Sequence, residues 1–317
     1  MTDQRSNWAG SYTYRAARLH RPTTVEELQA LVRRGARLKA LGTRHSFNHI
    51  ADTAEDQISL AQLRQGPVFD HQRRTVTVDA GASYGEICEP IERAGYALPH
   101  MASLPHISVA GACATATHGS GDRSGNLASA VAAIQLVTAD GSLAELSRER
   151  DGDQLAGAVV ALGGLGVVTR VTLDLVPSFT MRLDIYERLP LAELDAHFDA
   201  ITASAYSVSM FVDWRSDYVN SVWLKRLLSA DEGRRTTDGD TSPFAPHPSP
   251  NRTGTISQPA NAPDPTFYGA ALAPPPAAGQ PAPWSAQMAQ PGPWHARLPH
   301  FRMDQTPSSG VELRPWA

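Results

Sequence analysis

Seventeen of the chain's 24 prolines fall between Asp231 and Ala317, and this asymmetry limits what the chain can fold into more than any other feature. Each proline removes an amide donor and fixes its own φ, so helix interiors and central strands cannot run through TSPFAPHPSP (241–250) or APPPAAGQPAPW (273–284). These stretches also carry little aliphatic side chain to offset the entropy of ordering. Residues 231–291 are therefore expected to be a disordered, low-complexity insert. The 317 residues leave room for two compact domains at roughly 150 residues each. With 42% hydrophobic and 19% charged residues, the remainder can bury a core.

The formal net charge is −4 and the pI near 6.3. No Lys/Arg run is long enough to track a phosphate backbone, which argues against a nucleic-acid partner. No stretch approaches the roughly 18 apolar residues of a membrane span, and the N-terminal MTDQRSNWAG lacks the basic-then-apolar pattern of a secretory signal. A soluble, cytoplasmic protein is the expectation. Cys88 and Cys113 have neither metal-ligand spacing nor a disulfide framework and read as small core hydrophobes.

Short strands and capped helices alternate in the first half. Thr24 with Glu27 forms a capping-box pattern, and Val25, Leu28, Leu31 and Val32 share a helical face that stops at Gly35. A strand over Arg37–Leu41 runs into Gly42, Thr43, Arg44 and His45. Thr75–Ala80 alternates as a strand, and Ser83 with Glu86 starts a second helix with Tyr84, Ile87, Cys88 and Ile91 on one face, where Pro90 should kink the helix or shift its start. Asp140-Gly141 predicts a hairpin between Ala133–Thr138 and Leu143–Leu146. A helix over Gln154–Leu162, the turn LGGLG and a strand over Val167–Val176 complete this part. From Phe179 a second α+β region begins, with a helix over Leu191–Thr202 and strands at Val208–Val212 and Ser221–Lys225.

Two segments combine small residues, hydroxyls and histidines where a backbone would approach a ligand. In LGTRHSFNHI (41–50), Gly42 permits a tight turn, Thr43 and Ser46 offer hydroxyls and Arg44 a positive charge, a set suited to a pyrophosphate. His45 reads equally as a hydrogen-bonded loop stabiliser. In LPHMASLPHISVAGACATATHGSG (98–121), Gly111, Ala112, Ala114 and Ala116 leave room for an extended ligand, and Ser103, Ser108, Thr115 and Thr117 surround it with hydroxyls. Close packing among small residues is the alternative. Neither segment is the G-x-G-x-x-G fingerprint or the Walker A loop. His100, His106 and His118 lack a helical His-x-x-x-His pair with an acidic partner, which disfavours a metal site. No nucleophile elbow is present, which disfavours a hydrolase. Trp8 and Tyr12 read as packing anchors.

Taken together, these words resemble the FAD-binding domain of the vanillyl-alcohol oxidase superfamily, the p-cresol methylhydroxylase type, and within it the bacterial alditol oxidases and the related sugar-1,4-lactone oxidases. The words that carry the resemblance are NWAGSYTY (7–14), RHSFN (44–48), MASLPHISVAG (101–111), TATHGSG (115–121), LGGLGVVTRVTLDL (162–175), SVSMFVDWR (207–215), VWLKR (222–226), GPWHARLPHFR (292–302) and TPSSGVEL (306–313). The resemblance implies an α+β fold, with a two-subdomain FAD-binding domain over 14–179 followed by a partial α+β substrate domain over 180–230 and 292–317.

It also implies roles. His45 matches the histidine that bonds covalently to the flavin 8α-methyl group. Gly42, Thr43, Arg44 and Ser46 match the loop around the pyrophosphate. Ser103, Ser108, Gly111, Ala112, Thr115 and His118 match the second flavin-lining loop, with Ser103 beside the substrate as the catalytic candidate. Val168 matches a position near the adenine. The implied reaction is oxidation of an alditol CH–OH group by O₂, giving an aldose and hydrogen peroxide, with a D-arabinono-1,4-lactone-type sugar lactone as the alternative substrate. Arg44 stands where the family has a small residue, and Ala116 where a glycine is common. The family's substrate-side Glu and Arg, an additional Lys and a second flavin-contacting His follow TPSSG-x-EL. With ELRPWA in that place, a shortened substrate domain is expected, and a flavin-binding remnant without turnover is a further alternative. A third reading uses the PxxP spacing of the proline-rich segment as a docking stretch.

Overall fold

Short strands held together by two capped helices build the N-terminal part. The computed structural model describes residues 5–35, 37–122, 124–228, 263–274 and 288–301. In it β1 (Arg18–His20) leads to α1 (Val25–Arg34) and β2 (Leu38–Ala40), and β3 (Asp56–Ile58) pairs in parallel with both strands. Thr24 caps α1 by accepting the Glu27 N–H at 3.2 Å. The expected reciprocal arm reaches one residue further back: the Glu27 carboxylate accepts from the backbone and hydroxyl of Thr23. Buried Leu28 and Val32 give the helix its inner face.

A five-stranded antiparallel sheet follows, in the order β4-β5-β9-β7-β8, from β4 (Val68–Asp70), β5 (Thr75–Asp79), β7 (Val131–Val137), β8 (Leu143–Ser147) and β9 (Val167–Asp174). Between these strands run α2 (Tyr84–Arg93), β6 (Tyr96–Ala97), α3 (Val109–Ala114), α4 (Arg148–Asp151) and α5 (Asp153–Val159); β10 (Val176–Pro177) pairs with β6. The hairpin joining β7 and β8 turns at Asp140-Gly141, with Gly141 at φ 80°. The start of α2 is not shifted by Pro90. Ser83 is the N-cap of a complete capping box, and Tyr84, Ile87, Cys88 and Ile91 are buried, which outweighs the one amide that Pro90 removes. Cys88 and Cys113 are both buried and unbridged, and burial pushes the Cys113 thiol up to about 11.

The second sheet carries β11 (Thr180–Pro190), β12 (Ser207–Phe211), β13 (Tyr218–Leu227), β14 (Thr266–Phe267), β15 (Ala270–Leu272) and β16 (Gly292–Pro293), with α6 (Leu191–Thr202) and α7 (Trp294–Arg297). Its order is β12-β13-β11-β15-β14, with β16 also on β11. The fold is α+β. The longest strand, β11, escapes the sequence pattern because its inward face carries Arg182 and Asp184, which pair with each other at 2.6 Å while buried. Arg226 of β13 joins the same carboxylate at 3.3 Å.

The expectation of a wholly disordered 231–291 is corrected for part of its length. Thr266–Phe267 and Ala270–Leu272 form a hairpin that adds to β11, with Phe267 and Ala270 buried against Tyr186 and Leu189. Residues 231–262 and 275–287 lie outside the described residues. The 292–301 segment, expected to belong with the second region, also returns to the first core. Trp294 is fully buried there, and its indole N–H donates to Glu92 of α2 at 2.7 Å.

Candidate functional site

The two singled-out loops meet at one buried hydroxyl. Ser108 precedes α3 and its side chain lies between Gly42 and Gly111: a Cβ on Gly42 would stand 2.5 Å from the Ser108 Oγ, and one on Gly111 2.6 Å from it. A Cβ at either position would require the Ser108 hydroxyl to move. Thr43 adds a polar tie, its Oγ1 accepting the Ser108 N–H at 3.0 Å. A cavity of about 450 Å³ opens between the loops, within the roughly 300–1,000 Å³ span of small-molecule and cofactor sites.

All twelve residues that the resemblance assigns to the site stand in its wall: Gly42, Thr43, Arg44, His45 and Ser46 from the first loop, Ser103, Ser108, Gly111, Ala112, Thr115 and His118 from the second, and Val168 from β9. Of the other small and hydroxyl residues of the second loop, Ala114 and Thr117 line it and Ala116 does not. Their side chains differ in availability. The Thr115 hydroxyl turns back to its own helix, donating to the Gly111 carbonyl at 3.1 Å. His118 is exposed, with Nδ1 2.8 Å from the Gly119 carbonyl. Ser103 is anchored through its carbonyl, which accepts the N–H groups of His300 and Phe301 at 3.0 and 3.3 Å. That segment is in turn held by buried Lys225 of β13, whose ammonium donates to the Leu298 carbonyl. Burial lowers the Lys225 pKa to about 7.

His45 is the most constrained member. Its Nδ1 lies 3.0 Å from the Thr43 hydroxyl, and the Trp8 ring stacks on the imidazole at 5.5 Å and 22°. Burial, reinforced by neighbouring His106 and Arg44, lowers its pKa to about 4, so the imidazole is neutral across the physiological range. The N-terminal segment fastens the loop from outside: the Trp8 N–H donates to the Arg44 carbonyl at 2.7 Å, the Arg44 guanidinium to the Ser6 carbonyl at 3.1 Å, and the Asn7 amide to the Ser46 carbonyl at 2.9 Å. Arg44 holds φ 64° and Ala116 φ 51°. Both departures from the family's small-residue pattern thus sit in the left-handed region, where a Cβ is strained.

Sequence reasoning missed Tyr14, Lys39, Ser59, Leu60, Gly81 and, in the LGGLG turn, Leu162, Gly163, Leu165 and Gly166 as wall residues. For Gly81 a signal existed in the strand-to-helix junction Asp79-Ala80-Gly81: a Cβ there would stand 2.6 Å from the Leu60 carbonyl. Trp8 and Tyr12 stay out of the wall.

The wall suits an anionic, partly aromatic cofactor. Among the described residues it contains Lys39 and Arg44 but no carboxylate, and it includes two buried polar atoms with no hydrogen-bond partner among those residues, the His45 Nε2 and the Tyr14 hydroxyl. Buried polar atoms are seldom left in this state, and a bound group can complete them. These features describe a flavin site, and residues 16–147 match the family described as an FAD binding domain. The chain is 43% identical over 322 aligned positions, 98% of its length, to the alditol oxidase of Streptomyces sp. (strain IKD472 / FERM P-14339), covering 68% of that protein. It is 33% identical over 239 positions, 74% of its length and 54% of the relative, to the L-gulono-1,4-lactone dehydrogenase of Mycobacterium tuberculosis. Against the putative D-arabinono-1,4-lactone oxidase of Neurospora crassa the figures are 32% over 178 positions, 55% and 32%. The chain belongs to the FAD-binding family of alditol oxidase. It spans about two-thirds of that relative and about half of the lactone dehydrogenase.

Proposed function

We propose that this chain is an FAD-dependent oxidase of alditols, with the cofactor attached covalently through His45. The observation that carries the reading is the 43% identity to an alditol oxidase across 98% of the chain, joined to a cavity walled by both loops and free of carboxylates among the described residues. FAD, when bound, supplies the acceptor for the hydride. The chain's own residues bind and orient. Gly42, Thr43, Arg44 and Ser46 hold the phosphates by backbone and charge, while Ser108, Gly111, Ala112, Thr115 and His118 line the flavin, and Val168 the adenine end. Ser103, held by the His300 and Phe301 amides, positions the substrate hydroxyl. Overall, the alcohol carbon loses a hydride and its hydroxyl a proton, giving an aldose, and the two electrons and two protons end on O₂ as hydrogen peroxide.

The neutral state of His45 leaves one ring nitrogen unprotonated, as a covalent link to FAD would require. A sugar-1,4-lactone is the second substrate reading, supported by the 33% identity to a lactone dehydrogenase. Among the described residues, no helix is long and apolar enough to cross a membrane; we propose a cytoplasmic setting. Purified protein should be yellow, retain its flavin in an acid precipitate, and form peroxide with xylitol or sorbitol faster than with a 1,4-lactone. Colourless protein overturns the flavin reading, acid-extractable flavin overturns the covalent bond, and bound flavin without turnover overturns the oxidase.

A further inference from the structure

Tyr14 lies just ahead of residues 16–147, the part matched by the FAD-binding family, yet it stands in the cavity wall. It is 4% exposed, and its hydroxyl is buried with no hydrogen-bond partner among the described residues. The backbone around it is fixed: its N–H donates to the Arg5 carbonyl at 2.7 Å, and Ser6 and Thr13 form an antiparallel bridge. Its neighbour Tyr12 packs edge-on at 5.5 Å and donates its own hydroxyl to Asp52 at 2.7 Å. Of two neighbouring phenols on one short segment, one is satisfied by the protein, and the other, on a residue of the cavity wall, has its hydroxyl unsatisfied among the described residues. Burial raises the Tyr14 pKa above the usual phenol value, so this hydroxyl stays protonated and can donate. A buried donor left unpaired is costly to the fold that keeps it. FAD presents ring carbonyls, ring nitrogens and phosphate oxygens as acceptors.

We infer that Tyr14 is a cofactor-binding residue whose hydroxyl donates a hydrogen bond to an acceptor atom of FAD. The inference rests on the flavin reading above, and it extends the cofactor site into the N-terminal segment, beyond the matched domain.

The test is Tyr14→Phe, which removes the hydroxyl and keeps the ring, compared with its parent in a His45→Ala background so that FAD binding is reversible. Loss of one hydrogen bond should raise the FAD Kd about tenfold. The flavin-free variant should melt about 2 °C or more above its parent, because an unpaired buried group has gone. A merely structural hydroxyl cannot move these two readouts in opposite directions. An unchanged Kd, or a flavin-free protein that melts below its parent, overturns the inference. If the protein with His45 intact takes up no FAD, the flavin reading fails instead.

Discussion

Two buried polar regions of this molecule are handled in opposite ways. On the second sheet, Asp184 is almost fully buried and its carboxylate is saturated: Arg182 meets both oxygens, at 2.6 and 2.8 Å, and Arg226 approaches at 3.3 Å. In the cavity wall, the Tyr14 hydroxyl and the Nε2 of half-buried His45 are also buried, yet neither atom has a hydrogen-bond partner among the described residues. A closed cluster has no capacity left for a ligand, whereas an open one bears its desolvation cost until something completes it. Burial of charge alone therefore does not mark the site; incomplete pairing beside a cavity does.

Breaking the closed cluster should have the largest effect. Asp184→Ala removes the carboxylate shared by buried Arg182 and half-buried Arg226, and a loss of about 3–5 kcal/mol is expected by denaturant titration, while flavin content per folded molecule stays the same. Flavin content that falls faster than the folded fraction would mean that the cluster is tied to the site. On the open side, His45→Ala should render all flavin acid-extractable and change stability at neutral pH by less than about 2 kcal/mol. A residual acid-stable flavin in this variant would assign the bond to another residue.

The same contrast has a pH signature. The His45 pKa is lowered to about 4 in the folded protein, against an unfolded value of about 6.5. Between these values the unfolded chain binds the additional proton, so the flavin-free protein should lose stability as pH falls from about 6.5 to 4. Melting curves of His45→Ala should show a shallower decline over that window; an identical slope would show that His45 does not stay neutral in the fold. The smallest effect is expected at Ala116. Replacing it with glycine relieves the left-handed strain but frees the unfolded chain, for a net gain of about 0.5–1 kcal/mol. A destabilised Ala116→Gly would mean that its methyl packs against something worth more than the strain.

Local signals were legible. The Ser83–Glu86 box and the Asp140-Gly141 turn follow from interactions within a few residues along the chain. The twelve candidate residues, all in the cavity wall, were legible as two words and one strand position, although nothing in their local pattern says that the Ser108 hydroxyl lies beside both Gly42 and Gly111. β11 was not legible, because a buried Arg182–Asp184 pair reads in sequence as solvated charge. Nor was the hairpin at 266–272, whose proline-rich surroundings mask a few residues that find an open strand to join.

The sequence by itself determined where helices start, where the chain turns, and which loops carry the small residues and hydroxyls of the site, because those properties depend on neighbours a few positions away. The tertiary structure decided which of those groups remain unsatisfied. Trp294 reaching Glu92 across 202 positions, the His300 and Phe301 amides fixing Ser103, and Trp8 stacking on His45 are contacts between distant segments. Whether a polar atom finds a partner is settled only when such segments pack, and that leaves Tyr14 and His45 open at the cavity while Asp184 is closed.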